Sequence, residues 1–516
     1  MDKLEIDDKL AIVNRSVEYR ISKRLLRKIP YFKKMLNHEC LESKENKIVL
    51  DFDQRAIEAI FDWIKTGKGF FKMDYVIELC NIFDYFGLPD SYIAKCVDYF
   101  HDEFTIAHLP NVIPQVTSTS KLINSASLNA FICRYFTKIA NTNVWLNYPL
   151  ETIEYICKLD LMVHSELQVF EAIMKWANFK CDSRKCHLER LLKLVRWCHV
   201  KDEDLSKIME NEFVKSLKFN PKFCADGNGN YDCNLNRNEQ EYFVMIEEYW
   251  HRSNDIRITV LANDLQPLFN RILELDETLP EHIIHDEHIS DLHYVERDSD
   301  KEIMRIDWKN NKYRWLRFSA YSNKLIEYIS IDSTDNCEES SMKKVAFNQN
   351  HMYRRVLLEA KDKFILIKKY RHSCYYWSKP TADEVKGVPI FSNSSDKETV
   401  LDNKIYMLTS DLQFMELDID DTDDIETNCK YKMFQLPKSK KNRYLKILHL
   451  ASKQTNDDRV IFLDGSEKSV YCFNVNSQRW SSIGQIINCN FFGNRNKTKV
   501  ISLTSAFISV DIINFA

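Results

Sequence analysis

Hydrophobic and polar residues alternate through KLAIVNRSVEYRIS at the start of the chain, a two-residue period that predicts a pair of β-strands. KRLLRKIPYFKKML then has a helical pattern, NKIVLDF reads as a further strand, and DQRAIEAIFDWIKTG, MDYVIELCNIFDYFG and SYIAKCVDYFHDEF read as helices. In the first of these helices Ile57, Ile60, Phe61 and Ile64 fall three and four residues apart and make one apolar face. An α+β unit is expected over 8–104. From about 105 to 250 the spacing is almost wholly helical, through ETIEYICKLD, SELQVFEAIMKWANF and CHLERLLKLVRW, which predicts short antiparallel helix pairs. After residue 255 the segments shorten and become β-branched and aromatic, as in KFILIKKY, DNKIYML, LQFMELDID and RVIFLDG, so 255–516 is expected to be all-β. Within it the aromatic strand ends Trp315, Trp377, Phe434 and Trp480 recur at about 46 to 62 residues. That is the period of four-stranded blades with insertions, and it predicts a degenerate β-propeller.

Composition narrows the chemistry. Glycine is scarce, 9 residues in 516 against a usual share of about 7%. No GxGxxG, GxxxxGK or GxSxG spacing occurs, so the Rossmann turn, P-loop and nucleophile elbow are excluded, and no enzyme is expected. The 72 Lys and Arg nearly balance 76 Asp and Glu, for a net charge of -4, so no overall basic field invites nucleic acid. No apolar run reaches 18 residues and no standard export signal opens the chain, so no membrane role and a cytoplasmic location, with a nuclear pool possible, are expected. The 15 cysteines, odd in number and scattered in apolar segments, read as buried reduced thiols.

Three stretches resemble known modules. LLRKIPYFKKML, ECLESKENKIVL, IFDWIKTGKGFF and YVIELCNIFDYFGLPDSYIAKCVDYF resemble, in that order, a BTB/POZ domain. LDLMVHSELQVFEAIMKWANF with LLKLVRW resembles a BACK domain, and KSVYCFNVNSQRW resembles a Kelch repeat. The resemblance to the BTB-BACK-Kelch family implies an α+β BTB domain at 8–104, an all-α BACK domain with linking helices at 105–250, and a divergent Kelch-like β-propeller at 255–516. It also implies a substrate-recognition adaptor of a Cullin-3 ubiquitin ligase, with no catalytic residue and no cofactor. The family's cullin-facing motif, an apolar residue, any residue and Glu, falls on Cys40, Leu41 and Glu42. Further implied partners are a protein substrate, expected at loops 331–350 and 418–430, and a second BTB copy. Only about seven residues precede KLAIV, where the family's dimer-forming helix stands, which counts against that dimer. A structural, actin-associated Kelch-type role is the alternative.

Other constellations are weaker. His282, His285 and His288 are three residues apart, with His293 further on, so that two could share a helix face and bind zinc with Glu281 or Asp286; a solvated linker is the simpler reading. Cys181, Cys186, His187, Cys198 and His199 lack a CxxC knuckle. CADGNGNYDC has EF-hand-like acids but Tyr231 where Gly is required and Arg237 where Glu is required. With no Gly-Gly pair in the chain, Asn and Asp are expected to make the propeller's left-handed turns.

Overall fold

The computed structural model describes residues 8–38, 40–211, 214–215, 235–249, 252–293, 303–316, 355–359, 363–368, 373–378, 386–389, 395–402, 404–409, 412–418, 431–437, 447–453, 457–486 and 498–515. The chain forms two compact units: Met1–Phe131 with Tyr148–Thr152 and His282–Glu287, and the remainder.

In the first unit the alternating N-terminus forms the strands Lys9–Asn14 and Val17–Ser22, paired antiparallel, and Lys47–Leu50 joins the other side of the first strand in parallel. Leu10, Ile12, Ile48 and Leu50 point inward, as the period of two requires. The buried Asn14 closes the sheet's end by donating to the Phe52 carbonyl at 3.1 Å and accepting from the Phe52 N–H at 2.8 Å. The helix Gln54–Thr66 starts at Asp53, whose carboxylate accepts from the Arg55 and Ala56 N–H groups, and ends at Gly67, whose φ of +73° suits a residue without Cβ. Ile57, Ile60, Phe61 and Ile64 form its buried face as predicted, each worth about 1.5–3 kcal/mol on burial. Helices Val76–Tyr85 and Asp90–Glu103 follow. Gln115, itself buried, donates to the Met73 and Asn111 carbonyls and accepts from the Ile77 N–H, which satisfies an orphan donor in the first turn of Val76–Tyr85.

The helical stretch continues through Ser125–Ala140, Leu150–Lys158, Glu166–Phe179, Leu188–Leu192 and Asp202–Glu210. It stops there: Glu241–Tyr249 is a strand, although the sequence pattern extended the helical region to 250. The run Phe243–Ile246 is apolar at every position and fits either period. It becomes a strand because neighbours on both sides hydrogen-bond it and both of its faces are buried.

From there to Phe507 the strands of the described chain pair antiparallel, with one short parallel exception. Three sheets are four-stranded meanders, beginning at Arg355, Ser395 and Leu448. A seven-stranded sheet divides into a four-stranded part, Thr498–Phe507 with Glu241–Tyr249, Arg252–Leu261 and Pro267–Leu275, and a three-stranded part, Ile289–His293, Ile303–Asp307 and Lys312–Leu316. Only Glu274 and Leu275 pair with the latter part, in parallel. The first strand of each sheet packs on the next, from Arg355–Glu359 to Ser395–Leu401, Leu448–Ser452, Thr498–Phe507 and Ile289–His293. Among the described residues five blade-like sheets thus share a row of inner strands, the architecture of a β-propeller. The last strand of the chain completes the first sheet and so covers an edge that would otherwise stay open. Apolar clusters fill the spaces between sheets, Phe243, Ile461 and Leu503 in one and Tyr406, Phe414, Phe462 and Phe473 in another.

Of the periodic aromatics, Phe434 and Trp480 lie on the outermost strands of consecutive sheets and meet across Phe414 and Phe473, with ring centroids 4.8–6.1 Å apart. Trp377 and Trp315 lie on third strands of their sheets, so the spacing marks the sheets without marking equivalent positions.

Candidate partner-binding face

Cys40, Leu41 and Glu42 sit where the chain turns out of the helix Pro30–Asn37 into a short helix, Leu41–Glu45. Cys40 is extended at the N-cap, and its thiol donates to the Met35 carbonyl at 3.6 Å. The helix ends after one turn because Asn46 takes a left-handed conformation, φ +53°, and its side-chain amide donates to the Lys9 carbonyl at 2.8 Å. No residue of Leu41–Glu45 is buried, and Leu41 is 67% exposed. A leucine held in water by a fixed helical turn contributes nothing to folding and is available to a partner. Glu42 also remains free: its carboxylate makes no cap hydrogen bond and no ion pair among the described residues.

An aromatic group that the sequence reading missed lies beside this turn. Tyr31, on the preceding helix, stacks obliquely on Tyr85 at 5.4 Å and on Phe86 at 5.5 Å, while Phe52 meets Tyr85 edge-on at 5.2 Å. The Tyr31 N–H donates to the Phe86 carbonyl, which ties the two helix ends together. Burial, a hydrogen bond with Tyr85 and the nearby Glu42 and Cys40 push the Tyr31 phenol up to about 12, so it stays protonated as a hydrogen-bond donor. Tyr85 is 53% exposed. The face therefore offers an apolar knob at Leu41, a phenolic rim and one unpaired carboxylate, which suits a protein surface with an apolar slot and a donor beside it. The only signal in the sequence was the PYF triplet; Tyr85 is distant in the chain and is brought in by the fold.

The histidine tract is not helical, and His282 and His285 have separate neighbours. His282 stacks flat on His101, centroids 3.6 Å apart, and the buried His285 contacts the Asp286 carbonyl. The side chain of His293 lies outside the described residues, as do the CADGNGNYDC loop, residues 331–350 and 419–430. Cys186 and Cys198 are exposed, whereas Cys80, Cys96, Cys133, Cys157 and Cys472 are the buried thiols expected. No helix among the described residues is long and apolar enough to cross a membrane.

Residues 115–210 match the family model "BACK: BTB And C-terminal Kelch". Human Kelch-like protein 6 is 25% identical over 171 residues, 32% of this chain and 27% of that protein. Human Kelch-like protein 17 is 24% identical over 174 residues, covering 32% and 26%, and mouse Kelch-like protein 3 is 26% identical over 201 residues, covering 38% and 33%. The matched region spans about a quarter to a third of the length of these relatives. The β-propeller domain of Myceliophteria thermophila Cps50 covers 46% of this chain and 72% of that one at 8% identity, with a TM-score of 0.20. At that score the propeller architecture rests on the sheet topology above. The chain thus carries a BACK domain between an α+β N-terminal region and a β-rich C-terminal region, and is related to Kelch-like proteins over about a third of its length.

Proposed function

We propose that this chain is a non-catalytic adaptor of a Cullin-3 ubiquitin ligase, which holds the cullin through the Leu41–Glu42 face and a protein substrate through its β region. The adaptor supplies proximity: it raises the effective concentration of substrate lysines near the recruited ubiquitin-conjugating enzyme, and catalysis belongs to its partners. The observation that carries the reading is Leu41, an exposed leucine with an unpaired glutamate next to it, at the unspecified middle position of the Cys40-Leu41-Glu42 stretch that the resemblance assigns to the cullin. The BACK match and the distant kinship with Kelch-like proteins support it.

The test is affinity purification of the full chain with Cullin-3. Glu42→Arg and Leu41→Asp are expected to weaken recovery of the cullin by at least about thirtyfold, since each reverses or buries a charge at a desolvated contact. The thermal transition should stay in place, because neither side chain supports the fold. Undiminished recovery with both variants would refute the assignment.

A further inference from the structure

From Ile21 to His38 the chain holds six Lys or Arg residues and no acid, and from Ile64 to Lys72 three more, again with no acid. Against a chain total of -4, these nine cations leave -13 on everything else. The fold brings the two stretches together. The helix Lys23–Leu26 packs on the helix Gln54–Thr66, and the Lys28 ammonium donates to the Ile64 carbonyl at 2.8 Å, capping that helix's carbonyl end. Arg24, Arg27 and Lys28 are exposed on one side of this contact, and Lys65 and Lys68 follow directly on the other. Asp62 partners Lys65 at 3.8 Å with both side chains in water; Arg24, Arg27, Lys28 and Lys68 have no ion pair among the described residues. Next to them Phe70 is 61% exposed, while its neighbour Phe71 turns inward onto Tyr99 at 5.7 Å.

We infer that this basic face is a second docking surface, separate from the Leu41–Glu42 turn, and that it takes a short acidic protein segment with an apolar residue that packs on Phe70. Length selects the partner class. At physiological salt a charge is felt over about 8 Å, so a short segment is governed by these cations, with Asp62 the one acid named beside them. A nucleic acid or a membrane extends past the patch and meets a chain that is otherwise strongly acidic. A second copy of this chain is disfavoured, because a two-fold contact would bring the same cations face to face. Lysine predominates, and its ammonium is a point charge without the fixed fork of arginine, which suits carboxylates in varied geometry better than bidentate phosphate reading.

The experiment uses the full chain and a fluorescein-labelled dodecapeptide of Glu and Asp with one central Leu, followed by anisotropy. Binding is expected, and it should weaken several-fold as salt rises from about 50 to 200 mM. Arg27→Glu with Lys68→Glu should weaken it at least tenfold, and Phe70→Ser by about tenfold, the loss of one buried aromatic contact. The milder pair Lys65→Gln with Lys68→Gln serves if charge reversal disturbs folding. Cullin recovery should be unaffected in these variants, which separates this face from the proposed function. The inference is overturned by absence of peptide binding, by binding indifferent to the substitutions, or by tighter binding of a thymidine dodecanucleotide or of phosphatidylserine vesicles.

Discussion

A chain this poor in glycine must still reverse direction between its strands, and individual side chains show how it does so. Six hairpin turns of the β region place a residue other than glycine in the left-handed conformation: Leu265, Asn311, Asp402, Leu412, Lys468 and Gln478. Only two of the six are the Asn or Asp expected there. In three turns, that of Asn311 among them, an acid or amide also works at the entry, four residues before the left-handed position. Asp307 accepts from the Lys309 and Asn310 N–H groups, Asp464 from that of Ser466 and Asn474 from that of Ser477. The entry side chain folds the turn and the fourth residue after it bears the strain, about 1–2 kcal/mol for an L-residue with a Cβ. Gln478 is exposed, so the cost can be read without a packing change. Gln478→Gly should stabilise the protein by about 0.5 kcal/mol, the relief of that strain less the 0.4–1 kcal/mol of entropy that glycine adds to the unfolded chain. Gln478→Val should destabilise by about 1 kcal/mol, because a branched Cβ fits the left-handed region worst. Urea unfolding of the two variants measures both, and equal stabilities would show that the turn carries no strain.

Among the elements, the helix Gln54–Thr66 shows what a sequence can reveal. Its apolar face, its Asp53 start and its Gly67 stop are all local signals, and all three operate in the fold. Burial raises the Asp53 carboxyl, but hydrogen bonds from the Arg55 side chain and the Ala56 N–H outweigh it and hold the group below its ordinary value. A group lowered in this way stabilises the native state above its unfolded pKa of about 3.9, and the contribution is lost as pH falls through the native value. Asp53→Ala should therefore cost about 1 kcal/mol at pH 7 and much less near pH 2, a difference that denaturation at the two pH values would register. Where the signal is not local, legibility stops. Phe243–Ile246 is apolar throughout and becomes a strand only through its neighbours Thr498–Phe507 and Arg252–Leu261. Cys40, Leu41 and Glu42 were readable because they are contiguous, whereas Tyr85 joins Tyr31 from more than fifty residues away. The basic face escaped for the same reason: a net charge of -4 averages over two stretches that only the fold sets side by side.

Across the whole second unit, one buried ion pair links the helices of the BACK domain to the start of the β region. Glu166 opens the helix Glu166–Phe179 and is fully buried; Arg237, just ahead of the strand Glu241–Tyr249, is 1% exposed and lies 3.3 Å from it. The guanidinium also donates to the Cys157 carbonyl at 2.8 Å and the Leu159 carbonyl at 2.5 Å, and the Glu166 carboxylate accepts from the Arg196 N–H at 3.1 Å. One arginine thus satisfies the carbonyl end of one helix and the acid at the start of the next. Desolvating both charges is costly, so the pair adds little net stability over a well-packed apolar pair, but breaking it strands a buried charge at a cost of about 3–5 kcal/mol. Arg237→Met should therefore destabilise by about that amount and leave Glu166 with the Arg196 N–H. Since the pair spans both parts of the unit, its loss should also let the two parts open separately, with amide protons of the helix Glu166–Phe179 and of the strand Glu241–Tyr249 no longer exchanging at one common rate. The double variant Arg237→Met with Glu166→Leu should recover most of the loss, because no charge is then left unpaired. If the single variant costs no more than a surface substitution, or if the double variant is no better than the single, the pair is not what couples the helical and β parts, and contacts such as that of Gln240 with the Leu161 carbonyl carry the joint instead.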